Sequence, residues 1–202
     1  MADAVGILTA RIRALTREHE RTKAPVLVAL DGRSGAGKST LAAAAGEMLG
    51  ALVIDGDDFY RGGTDASWDA MTAEAKVEEV IDWRRQRAVL EVLGRRDGAT
   101  WRPYDWEADD GSFGAAISGG PADVVILEGA YSGRPELADV LSLRVLLEIP
   151  RDVRRARLLR REGARYRAEW EARWGESEDL YFDVLMPPHA FDLVLDDAGS
   201  EV

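Results

Sequence analysis

The sequence predicts an α/β fold, a five-stranded parallel sheet with helices on both faces. Three observations carry that expectation. Five short apolar runs, at 25–30, 51–55, 123–127, 143–149 and 191–196, alternate with segments of helical or loop character. The runs "PVLVAL", "DVVIL" and "LRVLLEI" are almost continuously apolar, as strands buried on both faces are. At 202 residues, 46% hydrophobic and 31% charged, the chain suits one domain, residues 1–202, with a real core.

Taken in order, residues 3–21 read as an amphipathic helix and 25–30 as the first strand. A glycine-rich loop at 32–37 leads into a helix from Lys38 to about Leu49, with Gly50 as its stop. "ALVID" at 51–55 is the second strand, and 56–72, rich in Gly and Asp, reads as loop. Asp82 is placed to cap a helix, "WRRQRAVLEVLGRR", whose Val89, Leu90 and Leu93 form an apolar stripe. Residues 97–121 hold glycines, aromatics and a hairpin, and 123–127 is the third strand. After the strand 143–149, Pro150 opens an arginine-rich helix. A helix at about 177–185 and the strand 191–196 complete the pattern.

Composition excludes several classes. The net charge of −11 argues against non-specific nucleic-acid binding, which needs cations along the phosphates. No apolar run approaches the ~20 residues of a membrane span. Cysteine is absent, so disulfides, thiol nucleophiles and cysteine metal sites are excluded. With no signal-peptide core, the expectation is a cytoplasmic protein with no membrane partner; a homo-oligomer stays open. Ten arginines fall between 144 and 173, a concentration that suits a small polyanionic ligand or a solvated helix face paired with acids.

The stretch "GRSGAGKS" matches G-x-x-x-x-G-K-[ST] in full. It comprises Gly32, Arg33, Ser34, Gly35, Ala36, Gly37, Lys38 and Ser39, with Thr40 next in the helix. Glycines let backbone N–H groups face the phosphates of a nucleotide, and the following helix N-terminus adds partial positive charge. Lys38 brings a mobile cation to the β- and γ-phosphates, and Ser39 a hydroxyl for Mg²⁺. The fold class thereby narrows to a P-loop NTPase, and the expected ligand to a mononucleotide.

Phosphoryl transfer needs a metal-holding acid, a base for the acceptor hydroxyl and cations around the moving charge. Glu128, at the tip of "DVVILE", suits the metal, or is a solvated strand-end acid. "DGDDFYR" clusters Asp55, Asp57 and Asp58, any of which serves as a base or as part of an acidic turn. Arg154, Arg157 and Arg161 share one helix face and can close over ATP.

The set "GRSGAGKST", "DDFYR", "YDW", "VVILEGAYS" and the arginine-rich segment resembles the uridine kinase family, grouped with phosphoribulokinase and bacterial pantothenate kinase. The resemblance covers about residues 25–196. It implies an acceptor-side insertion at about 56–121 and an arginine-rich lid at about 154–175. It implies that Asp57 is the base, that Glu128 joins Ser39 at Mg²⁺, and that Arg157 and Arg161 with Lys38 are catalytic. Tyr60, Asp82, Tyr104 and Arg154 then look like acceptor-site residues, with a helix cap as the rival role for Asp82. One departure stands out: Asp109 and Gly111 occupy the positions of the family's pocket histidine and arginine. Trp68, Trp83, Trp101 and Trp106 offer stacking surface or plain packing. The expectation is an ATP- and Mg²⁺-dependent kinase of a small hydroxyl compound, a nucleoside first. The alternatives are a pantothenate-like, sugar or specialised acceptor, or a regulatory NTPase.

Overall fold

The computed structural model describes residues 2–19 and 23–196. Helix α1 (Ala2–His19) precedes strand β1 (Val26–Asp31); residues 20 and 21 of the expected first helix lie outside the described residues. Helix α2 (Lys38–Leu49) leaves the glycine loop and ends at Gly50, whose left-handed φ of 62° closes it. Strand β2 (Leu52–Asp55) runs into a single 3-10 turn, Gly56–Phe59.

Residues 56–72 contain more helix than their composition suggests. Helix α3 (Asp65–Asp69) is capped by the Thr64 hydroxyl, which accepts from the Ser67 amide at 3.2 Å. Helix α4 (Ala73–Glu79), absent from the sequence reading, is capped in the same way by Thr72. Both helices are too short to show a periodic stripe, and the threonine caps are their only local signal. Helix α5 (Trp83–Gly94) starts at Asp82 and buries Val89, Leu90 and Leu93. The hairpin is present as the antiparallel pair β3 (Ala99–Trp101) and β4 (Ile117–Gly119).

Strands β5 (Val124–Glu128), β6 (Leu143–Leu147) and β7 (Leu193–Leu195) complete the main sheet. Its order is β2-β5-β1-β6-β7, and every pairing is parallel. Helices α6 (Arg151–Glu162) and α7 (Ala164–Asp179) meet at Gly163. The helix expected at 177–185 is the last turn of α7 followed by a wider π-helical turn, Leu180–Leu185.

Alternation along β1 divides the core. Val26, Val28 and Leu30 face Leu8 and Ile12 of α1 and Leu41 and Ala45 of α2. Leu27, with Ile54 and Leu127, faces α5, Trp68, Phe59 and the Tyr181–Phe182 turn. Both faces of the sheet are therefore covered, which is why its strands read as continuous apolar runs. Among the described residues, no helix is long and apolar enough to cross a membrane.

Because the strands are parallel, their carboxyl ends share one edge, and there β1, β2 and β5 finish in Asp31, Asp55 and Glu128. Asp31 is fully buried. One of its oxygens accepts from the amides of Gly32 at 2.7 Å and Tyr131 at 2.9 Å. The other accepts from the Gly133 amide at 2.8 Å and the Tyr181 hydroxyl at 2.9 Å. Burial pushes its pKa up to about 6 even against these donors. Asp31 thus costs stability by being ionised and supplies it by satisfying donors that have no other acceptor.

Two substitutions separate these effects. Asp31→Ala strands three amides and a hydroxyl and should cost about 3 kcal/mol or more in urea denaturation. Tyr181→Phe removes one donor and should cost about 1 kcal/mol. Equal losses from the two variants would contradict the network.

Candidate active site

The glycine loop is held in place by close packing. Gly35 has φ +77°, and a Cβ there would lie 2.8 Å from the Leu158 side chain and 2.9 Å from the Arg154 carbonyl on α6. Gly32 has φ +150°, and a Cβ there would lie 2.6 Å from the Leu147 carbonyl of β6. The loop is therefore wedged between the sheet and the arginine helix, and only glycine fits at these two positions. Gly37 takes the left-handed conformation that starts α2. Lys38 curls back, its Nζ 2.8 Å from the Gly32 carbonyl.

Helix α7 braces the loop from the other side. The Ser34 amide donates to Glu178 at 2.8 Å. Arg33 donates to Asp179 at 2.5 Å and to Asp183 at 2.6 Å, with its guanidinium over the Phe182 ring. Arg33 therefore serves as a strut between the loop and the C-terminal turn.

A cavity of about 290 Å³ opens over the loop, lined by Ser34, Gly35, Gly37, Lys38, Ser39 and Thr40. Asp57, Glu128, Arg157 and Arg161 complete its walls. Residues more than 120 positions apart are brought here because β1 and β5 are neighbours and α6 packs on the loop. Arg157 donates to the Ala36 carbonyl at 2.8 Å, and Arg161 pairs with Glu162 at 2.5 Å. Burial pushes the Glu128 carboxyl up to about 7, against the pull of a hydrogen bond from Ser39 and the charge of Lys38. Among the described residues, no group of three or more His, Asp or Glu could hold a metal by itself. One hydroxyl and one carboxylate lining the same cavity, those of Ser39 and Glu128, nevertheless fit Mg²⁺, which takes most of its oxygens from phosphates and water.

The aspartates at 55–58 have separate roles. Asp55 caps the 3-10 turn by accepting from the Asp57 amide at 2.9 Å. Asp58 accepts from the Trp101 indole at 2.7 Å. Asp57 is directed into the cavity, exposed at its mouth yet hemmed in by protein. That partial desolvation first, and the Asp55 charge second, raise its pKa.

A second cavity of about 250 Å³ adjoins the first, and Ser34, Asp57 and Ala130 line both. Its walls include Tyr60, Trp68, Trp106 and Trp174, with Asp109 and Glu178. Tyr60 stacks on Trp106 at 4.9 Å between ring centres. Tyr104 meets both rings edge-on and donates its hydroxyl to Asp109 at 2.7 Å.

Tyr104 is thus placed behind the second cavity, as a support for Asp109. Two other residues that the sequence assigns to the acceptor lie away from both cavities. The Asp82 carboxylate accepts from the Arg85 amide at 3.2 Å and caps α5, the rival role named for it. Arg154 is buried behind the loop, where it donates to the carbonyls of Ile149 at 3.0 Å and Ser34 at 3.2 Å. Its neighbours on α6 explain the difference: Leu158 packs on Gly35 and draws that side of the helix inward, while Arg157 and Arg161 remain at the cavity. Glu178 of α7 carries no sequence signal, and Arg173 and Trp174 are covered only by the arginine-rich stretch and the expected lid, with no role assigned. They enter the site only through the fold, more than 100 residues after Asp57.

No family model matches the chain, and no curated protein matches it in sequence. Solved structures do match. A protein described as a possible uridine kinase from Bacillus stearothermophilus superposes with a TM-score of 0.70 at 19% identity, over 96% of this chain and 97% of that one. A Silicibacter protein provisionally assigned as a fructose transport system kinase gives 0.69 at 25% identity, over 93% and 98%. Phosphoribulokinase from Rhodobacter spheroides gives 0.59 at 16%, over 86% and 70%. The chain has the fold of the uridine kinase-like P-loop kinases.

The wedge at Gly35 is open to a direct test. Gly35→Ala combines a left-handed φ with overpacking and should cost about 2–4 kcal/mol. Gly50→Ala shares the left-handed φ, 62°, but meets open space and should cost about 1 kcal/mol. Urea denaturation distinguishes them, and equal losses would contradict the packing argument.

Proposed function

We propose that the chain is a kinase that moves the γ-phosphoryl group of ATP to a hydroxyl of a small molecule, with Mg²⁺ as cofactor. The observation that carries this reading is the position of Asp57, whose side chain lines both the cavity over the glycine loop and the aromatic cavity beside it. A base between donor and acceptor is what in-line transfer to an alcohol requires. The shared fold with kinases supports the same reading.

In this mechanism the loop amides and Lys38 hold the β- and γ-phosphates of ATP. Ser39 and Glu128 would hold Mg²⁺, which would supply charge neutralisation. Asp57 accepts the acceptor's hydroxyl proton as the oxygen attacks. Arg157 and Arg161 face the same cavity and stabilise the charge on the transferring group. The wall formed by α7 keeps water from replacing the acceptor.

The acceptor is an alcohol of nucleoside or sugar size, in keeping with a cavity of about 250 Å³ and its flat aromatic walls. Asp109 stands where the resemblance places a histidine, so the pocket differs from a uridine site at the residue that faces the ligand.

Asp57→Asn keeps the side chain's shape and removes the base. Acceptor-dependent ATP consumption should fall by about 100-fold or more, with ATP affinity by calorimetry within about threefold of wild type. Wild-type turnover by the Asn variant would overturn the assignment.

A further inference from the structure

The two cavities that meet at Asp57 differ in sign. Lys38, Arg157 and Arg161 outnumber Asp57 and Glu128 in the cavity over the glycine loop. The aromatic cavity is lined by the carboxylates of Asp57, Asp65, Asp109 and Glu178. Among the described residues, Arg173 is the one cation in that lining, and it is already committed, at 2.9 Å to Asp65 and 2.8 Å to Asp69. Glu178 is partly satisfied by the Ser34 amide. Asp109 accepts only a neutral hydroxyl, from Tyr104. It stands beside the stacked faces of Tyr60 and Trp106, whose π-electrons favour a cation in the same space.

Trp68 lines the cavity as an apolar wall, its indole N–H buried beside the Tyr60 hydroxyl. The cavity therefore presents aromatic faces and the Asp109 carboxylate to a positive charge. Arg173 offsets Asp65 and Arg154 lies 4.0 Å from Glu178, so an acceptor that already carries a phosphate or carboxylate would meet the like charges of Asp57 and Asp109.

We propose that the acceptor is a cationic alcohol, with an amino or quaternary nitrogen near its hydroxyl, and that Asp109 and the Tyr60–Trp106 stack select it. This rests on reading the aromatic cavity as the acceptor site. Tyr104 is a positioning residue here, because it holds Asp109 in place.

The test measures binding without ATP, by calorimetry and thermal shift. It uses two matched sets of hydroxyl compounds of sugar size: glucosamine, glucose and glucuronate; and galactosamine, galactose and galacturonate. The cationic member of at least one set should bind about tenfold or more tighter than its neutral analogue, with the anion weakest. Asp109→Asn, once its melting temperature is shown to match wild type, should bring the cation-to-neutral ratio within about threefold. A neutral or anionic member binding as well as the cation, or no binding by either cation, overturns the proposal. ATP turnover with the same compounds is read separately. Cation-selective binding without turnover would uphold the charge selection and sink the kinase reading. Turnover with neutral or anionic acceptors alone would do the reverse.

Discussion

The Asp31 carboxylate, buried at the end of the central strand, is the point on which the rest of the site depends. Its two oxygens hold the first amide of the glycine loop, two amides of the segment after β5 and the hydroxyl of Tyr181. Those segments carry the phosphate cradle, the continuation of the strand that ends in Glu128, and the turn that follows α7. A carboxylate offers only acceptors, which is why it can collect several donors where an amide or hydroxyl could not. Burial raises its pKa, so the ionised form is tolerated for the geometry it imposes. With the C-terminal turn fixed, Glu178 reaches the Ser34 amide and Arg33 reaches Asp179 and Asp183, and α7 becomes a wall of the site.

That frame turns a short run of acids into distinct functions. In a 3-10 turn successive side chains point about 120° apart. Asp57 and Asp58 therefore face different ways, one into the cleft and the other onto the Trp101 indole. Asp55 is spent on capping the turn. The result is a carboxylate at the boundary between a cavity richer in cations and one richer in acids. On the proposed reading the first suits a polyphosphate and the second repels it.

Much of this was legible in the sequence because it is local. The glycine loop needs eight consecutive residues, and the strands show themselves by composition. The stripe in α5 and the stop at Gly50 follow from short-range rules. Asp57, Lys38, Ser39, Glu128, Arg157 and Arg161 do converge on one cavity. What the sequence hid depends on tertiary packing. Spacing put Arg154 on the same face as Arg157, but Leu158 against Gly35 sets which arginine is buried. Asp82 looks identical in sequence whether it caps a helix or binds a ligand, and the fold is what brings the Arg85 amide to it as a cap. Trp174 and Glu178 carry no motif, and they matter because α7 folds back across the site. Asp31 did leave a trace, a charged residue ending an apolar strand, whose purpose needs the three segments around it.

In the proposed reaction phosphate leaves ATP for an alcohol positioned at Asp57, and not for water. A single-turnover reaction with ATP labelled in the γ-phosphoryl group, run with enzyme in excess and acceptor present or absent, distinguishes the two fates. Label should appear in an organic phosphate ester when an acceptor is present, with little release of inorganic phosphate without one. Label released as inorganic phosphate at a rate indifferent to every acceptor would contradict it and point to a nucleotide hydrolase.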